Sequence, residues 1–323
     1  MIGNDITHAA LLLKAGEVVA IPTETVYGLA ANAFNGNAVA SIYRIKNRPQ
    51  FNPLILHTNS TEKLTEWGLQ LPQPMQELLK HFSPGPLTYL IPSTPHIPEI
   101  VTAGTQAVAV RIPNHPITLQ LLSTLDFPLA APSANPSGYI SPTTAVHVQT
   151  QLGHAIPYIL DGGTCEVGIE STIISFLDNK PEILRYGGIS KEKIEQIIGP
   201  INDKAIHLST IIPAEKPLAP GMLTKHYAPL KPIFVGNIAQ LLHDKDKKRV
   251  AVISFQSVYD NIPIENQFCL SVSGNLNEAA QNLFAAMRKA ETLDIDCILA
   301  EIFPEKDIGR AINDRLMRAS AKE

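Results

Sequence analysis

Apolar positions in the first two hundred residues come in short runs closed by proline, glycine or hydroxyl clusters, alternating with longer amphipathic stretches. Val18-Val19-Ala20-Ile21, bounded by Gly16 and Pro22, reads as a buried strand that empties into Thr23-Glu24-Thr25-Val26-Tyr27-Gly28. Residues 37–45 place Val39, Ile42 and Tyr43 at helical spacing, and that helix ends at Lys46-Asn47-Arg48-Pro49, two cations pinned by a proline. Leu54-Ile55-Leu56 is the next strand and delivers His57. Helices over 61–67 and 74–81, a Pro-Gly-Pro turn into a strand ending at Ile91, and a strand over 107–113 carrying Arg111 follow. A helix over 116–125 leads to the apolar run 128–131, which ends in the small-residue loop 132–138. Ser141 is placed to cap a helix beginning near Thr143. Strands over 158–160, 173–176 and 182–185 and a helix over 191–198 close this half. Residues 202–232, interrupted by five prolines, read as a linker. Beyond it, strands over 250–253, 268–270 and 298–300 alternate with helices over 238–243, 276–293 and 308–319, the pattern of a smaller α/β domain.

Length and composition narrow the class. The chain has 323 residues, 45% of them hydrophobic, which suits two packed cores. A net charge of -4 offers no global basic field, so an anion site must be a local gathering of Arg and Lys. Three scattered cysteines exclude a disulfide framework or a C-x-x-C zinc site and point to a reducing compartment. The N-terminus reads as an amphipathic helix capped near Asn4 or Asp5, without the cationic and apolar regions of a signal peptide, and a cytoplasmic location is expected.

Candidate chemistry gathers at the element ends. Hydroxyls, Lys46, Arg48, Asn52 and His57 fall within a short span, and such edges are where open α/β sheets bind ligands. The cluster suits a small zwitterion beside a polyphosphate, although Lys and Arg at a helix end also answer the helix dipole. Arg111, flanked by Val110 and Ile112, needs an anion, either a ligand or an internal acid. Small residues in the 132–138 loop let backbone N–H groups approach phosphates, while Ser133 and Asn135 add side-chain donors. No G-x-x-x-x-G-K-S/T, G-x-G-x-x-G or H-E-x-x-H occurs, so a nucleotide must be held without a P-loop.

P-T-E-T-V-Y-G-L, K-N-R-P, N-P-L-I-L-H, F-S-P-G-P-L-T, V-R-I-P and S-A-N-P-S-G together resemble the YrdC-like family, the L-threonylcarbamoyladenylate synthases. The segment P-G-M-L-T-K-H-Y-A-P, 220–229, is similar to the linker of its longer, two-domain members. The resemblance implies a twisted mixed sheet flanked by helices with a concave ligand face in a catalytic domain over 1–201. It also implies a linker over 202–232 folded across the active-site mouth, and a smaller Rossmann-like α/β domain over 233–323. The implied reaction joins ATP, L-threonine and bicarbonate into threonylcarbamoyl-AMP and pyrophosphate, a nucleotidyl transfer that feeds a separate threonylcarbamoyl transferase acting on tRNA. Lys46 and Arg48 are then the catalytic phosphate holders. Asn52, Ser133, Asn135, Ser141, Arg185 and His226 join them around ATP. Thr23, Thr25, Tyr27, His57, Arg111, Ala131 and Ser171, with Thr172 beside it, meet L-threonine. His57 is a candidate for deprotonating its amine, and Lys225 and Tyr227 are candidate lid residues. No metal ligand is assigned; Mg2+ is expected through the ATP phosphates. The competing reading is an RNA-binding module that uses the same cations. A carbamoyl or acyl transfer enzyme of several parts is disfavoured, because its zinc-finger and acylphosphatase-like segments are missing.

Overall fold

The computed structural model describes residues 1–177, 180–205, 220 and 226–321. Two sheets organise them. The first is mixed and holds β1 (Ile2–Gly3), β2 (Val19–Ile21), β3 (Gly28–Asn32), β4 (Ile55–His57), β5 (Leu87–Pro92), β6 (Ala107–Arg111), β7 (Leu129–Ala130), β8 (Tyr158–Leu160), β9 (Thr172–Ser175), β10 (Glu182–Arg185) and β11 (Asn202–Asp203). Their order is β1-β8-β2-β3-β7-β4-β6-β5-β9-β10-β11. The second holds β12 (Ile233–Val235), β13 (Val250–Ser254), β14 (Gln267–Cys269) and β15 (Cys297–Ala300) in the order β12-β15-β13-β14, with every pair parallel. That all-parallel arrangement with covering helices is the Rossmann-like one expected.

Register explains how the candidate side chains meet. β4 and β6 run parallel with His57 opposite Arg111, so both leave the sheet at one end. β2 and β3 form an antiparallel pair with Ile21 opposite Gly28, so the Thr23–Tyr27 loop leaves at the opposite end of the sheet, and the Arg111 side chain reaches it through a hydrogen bond to Thr25 Oγ1. β7 runs antiparallel to β4 and carries its chain into Ala131 and Ser133, and Gly28 bridges to Ser133. β10 contributes Arg185 at its carboxyl end, beside the start of β9. Ile55, His57 and Ala131 stand on one face of the sheet, since Ala131 lies opposite Ile55 and side chains alternate along each strand, and Thr23, Thr25 and Arg111 border the same space.

The local reasons are visible in the sequence. Asp5 caps the first helix, Ile6–Lys14, by accepting from the His8 N–H. The helix Gly36–Lys46 buries Val39, Ile42 and Tyr43 and stops at Asn47, whose left-handed conformation ends it before Pro49 is reached. Gly187 is required by packing: a Cβ there would lie 2.3 Å from the Glu170 carbonyl oxygen, so no larger residue lets this turn close on the next.

Three expectations need correction. Ser141 is no helix cap; the helix Ala145–Leu152 is capped by Thr144, which accepts from His147, while the Ser141 hydroxyl donates to Glu170. β3 had no signal, because Gly-Leu-Ala-Ala-Asn lacks the β-branched residues that mark strands. The large sheet also continues past residue 201, since β11 pairs parallel with β10. Most of the proline-rich segment, Lys225 included, lies outside the described residues.

Candidate active site

A cavity opens over this face of the sheet. Thr23, Thr25, His57, Arg111, Ala131 and Ser171, six of the seven residues assigned to the amino acid, line it. From the nucleotide set, Arg48, Ser133, Arg185 and His226 line it as well, and Pro220 and Tyr227 bring the linker segment to its wall. Three cations predicted from separate stretches of sequence, Arg48, Arg111 and Arg185, therefore share one hollow.

Their partners differ in kind. Arg111 meets an internal acid: its Nη2 lies 2.7 Å from the Glu24 carboxylate, and its Nη1 donates to Thr25 Oγ1 at 2.9 Å. Among the described residues, Arg48 donates to the carbonyls of Asn52 and Pro53, at 3.1 and 2.9 Å. Arg185 donates to the Ser171 carbonyl and hydroxyl and to the Pro220 carbonyl. Lys46 reaches the carbonyls of Ser133 and Asn135. Among the described residues, none of Lys46, Arg48 and Arg185 has a carboxylate within ion-pair distance, although all three are buried.

Buried cations without counter-ions push one another toward the neutral form. Burial and then Arg48 hold Lys46 well below the usual lysine range. Burial pushes Arg48 down to about 10, with Arg185 adding to the shift, and His226 is held well below its ordinary value by burial and then by Arg48 and Lys46. The pocket is a preformed site of positive potential. An anion entering it would relieve that repulsion.

Six predicted residues sit elsewhere. Lys46 lies behind the wall and fastens the 133–135 loop rather than facing the hollow. The Asn52 side chain makes no hydrogen bond with any described residue, and its carbonyl serves Arg48 and Tyr43. The Asn135 amide donates to the carbonyls of Pro136 and Tyr139, bracing its own loop. Ser141 belongs to Glu170, and the Tyr27 hydroxyl is turned to Asp161 and the Gly163 carbonyl. Thr172 likewise spends its hydroxyl on Ile189. His57 lines the cavity, but burial and then Arg111 hold it down to about 3, so it is neutral and a poor base near neutral pH. Residues not anticipated are Glu24, visible only as an acid between two threonines, and Glu170, hidden in Glu-Val-Gly-Ile-Glu-Ser-Thr.

The linker segment carries backbone strain. Tyr227 is fully buried with φ of 62°, its ring 4.1 Å from that of His226 and stacked on Phe284 at 5.6 Å. Its hydroxyl has no partner among the described residues. A tyrosine tolerates a left-handed backbone only where its surroundings over-determine it.

A family model named Sua5_yciO_yrdC and described as "Telomere recombination" matches residues 11–187, and one described as "Threonylcarbamoyl-AMP synthase, C-terminal domain" matches 189–321. The chain belongs to this family. The threonylcarbamoyl-AMP synthase of Bacillus subtilis is 41% identical, with 98% of this chain and 92% of that protein aligned. The Pyrococcus abyssi protein of the same name is 40% identical over 97% and 93% of the two chains. Among solved structures, Sua5 of P. abyssi complexed with L-threonine superposes with a TM-score of 0.90 at 38% identity, covering 99% of this chain and 97% of that one. The two-domain α/β architecture is therefore that of the Sua5-type members of this family. No helix among the described residues is long and apolar enough to cross a membrane.

Proposed function

We propose that this chain carries the activity for which its relatives are named, making threonylcarbamoyl-AMP and pyrophosphate from ATP, L-threonine and bicarbonate or CO2. The observation that carries the reading is the pairing of charges in one hollow. Among the described residues, Arg48 and Arg185 have no carboxylate within ion-pair distance, and they stand beside a ring of hydroxyls that also borders Arg111. Unneutralised buried guanidinium groups recognise polyphosphate, and hydroxyls with Arg111 suit a hydroxylated amino acid.

Two bonds form in the reaction. The threonine amine adds to the carbon of CO2 and gives up a proton to solvent, or adds to bicarbonate with loss of water, and the resulting carbamate oxygen attacks the α-phosphorus as its bond to pyrophosphate breaks. No covalent enzyme nucleophile is needed, so positioning and electrostatic stabilisation supply the catalysis. Arg48 and Arg185 hold phosphate oxygens, and Lys46 acts indirectly by fixing the Ser133–Asn135 backbone. Thr23, Thr25, Ser171 and Ala131 surround the amino acid, and neutral His57 offers a hydrogen bond rather than a proton sink. In this sense the chain is a nucleotidyltransferase, and its product passes to a separate threonylcarbamoyl transferase acting on tRNA.

Mg2+ fits as a passenger on the phosphates. Among the described residues no group of three or more His, Cys, Asp or Glu could hold a metal, and the acid on the cavity wall, Glu170, is taken by Arg315 and Ser141. When bound, the ion would share the charge of the leaving pyrophosphate.

The test is direct. The purified chain, given ATP, Mg2+, L-threonine and 13C-bicarbonate without RNA, is expected to release pyrophosphate and to form a product carrying the label in its carbamoyl carbon. An RNA-binding module would give neither.

A further inference from the structure

The nucleotide side of the cavity is finished by a residue of the other domain. Arg315 lies on the helix Gly309–Ser320 and has no solvent exposure. Its Nε donates to Glu170 Oε2 at 2.9 Å, its Nη1 to the Tyr186 carbonyl at 2.6 Å and to Asp314 at 2.9 Å, and its guanidinium carbon lies 5.3 Å from the centre of the Tyr227 ring. Glu170 is the acid among the residues lining the cavity, and its second oxygen accepts from Ser141 at 2.5 Å.

An unpaired carboxylate there would act against the pocket in two ways. It would repel phosphate at short range in a low-dielectric site. It would also strengthen the attraction between Glu170 and Arg185 that is already present, drawing Arg185 away from the Ser171 and Pro220 oxygens to which it now donates. A buried carboxylate stripped of its cation is the costliest form of this arrangement.

We propose that Arg315 is a positioning residue for the nucleotide: by neutralising Glu170 from the C-terminal domain, it keeps Arg185 and Arg48 available to the phosphates of ATP. The C-terminal domain thereby sets the nucleotide affinity of a pocket built on the other sheet. This rests on the functional reading above, since it assigns the phosphates to that end of the cavity.

The test titrates the full chain with the non-hydrolysable ATP analogue AMP-PNP plus Mg2+, and separately with L-threonine, by calorimetry. Arg315→Met is expected to weaken AMP-PNP binding at least tenfold while L-threonine affinity stays within threefold. Adding Glu170→Gln to that variant is expected to restore AMP-PNP affinity to within threefold of the parent, which a merely structural role for Arg315 would not produce. Unchanged AMP-PNP affinity in Arg315→Met, or a double variant as weak as the single one, overturns the proposal. Should Arg315→Met fail to fold, Glu170→Gln alone, with Arg315 in place, must bind AMP-PNP at least as tightly as the parent; weaker binding overturns it. A parent that binds neither ligand takes down the functional reading with it, whereas a parent that binds both while the variants behave as just described against the proposal removes the role of Arg315 alone.

Discussion

At the scale of single residues, the site is a set of charges held against their preference. Lys46 is kept well below the ordinary lysine range by burial and by Arg48, and His226 is depressed by burial and by the same cations. A triphosphate arriving nearby favours their protonated forms, so nucleotide binding should be accompanied by net proton uptake. Calorimetric titration of AMP-PNP in buffers of different ionisation enthalpy at one pH reads this directly; release of protons, or none exchanged, would contradict it. The same shift has a consequence for the free protein. A lysine whose folded-state pKa is depressed leaves the unfolded chain binding more protons, so stability rises with pH between the folded and unfolded pKa values and is lost as pH falls through the folded one. Thermal melts of the free protein across the alkaline range are expected to show this contribution, and Lys46→Met is expected to flatten it.

At the scale of elements, positions follow from strand ends and loops fastened by single side chains. The loop after β7 is held by Lys46, whose Nζ reaches the Ser133 and Asn135 carbonyls and whose own carbonyl accepts from Ser137 at 2.8 Å. Lys46→Met removes the side-chain bonds and leaves the backbone one. Amide exchange over Ala134–Ser137 should then quicken at least tenfold relative to the core strands, about 1.4 kcal/mol of local stability. Rates unchanged from the parent would return Lys46 to a direct role at the ligand. Much at this scale was legible beforehand. The strand carrying Arg111 and the helix ending at Lys46 were readable because apolar periodicity and closing prolines are local signals. Which way Lys46 points was not, because the direction depends on a loop some ninety residues further along the chain. Arg111 shows the same limit. Its flanking Val110 and Ile112 demanded an anion, and only the folded β2–β3 loop reveals that Glu24 supplies one.

At the scale of the whole molecule, helices that flank the second sheet bind directly to loops of the first. Arg288 on the helix Leu276–Glu291 donates to the carbonyls of Ile140 and Ser141, Arg310 pairs with Glu192, and Gly168 packs against the backbone of Gln281. A Cβ on Gly168 would lie 2.4 Å from the Gln281 Cα, at φ of +75°. Gly168→Ala should therefore strain both the turn and the interface, costing about 1–3 kcal/mol and lowering the melting temperature; an unaltered melt would show that the domains give way freely. None of this interface was legible from sequence. Arg315 and Arg288 look like ordinary polar positions of amphipathic helices until the other domain covers them.

The most direct test of the cationic hollow is the affinity of AMP-PNP for the parent and for Arg48→Met, each measured with and without saturating L-threonine. Loss of a charge-assisted contact worth about 1.5–3 kcal/mol predicts about ten- to a hundredfold weaker nucleotide binding in the variant, with L-threonine affinity within threefold of the parent. Equal nucleotide affinity in the two proteins would contradict the assignment of this hollow to ATP.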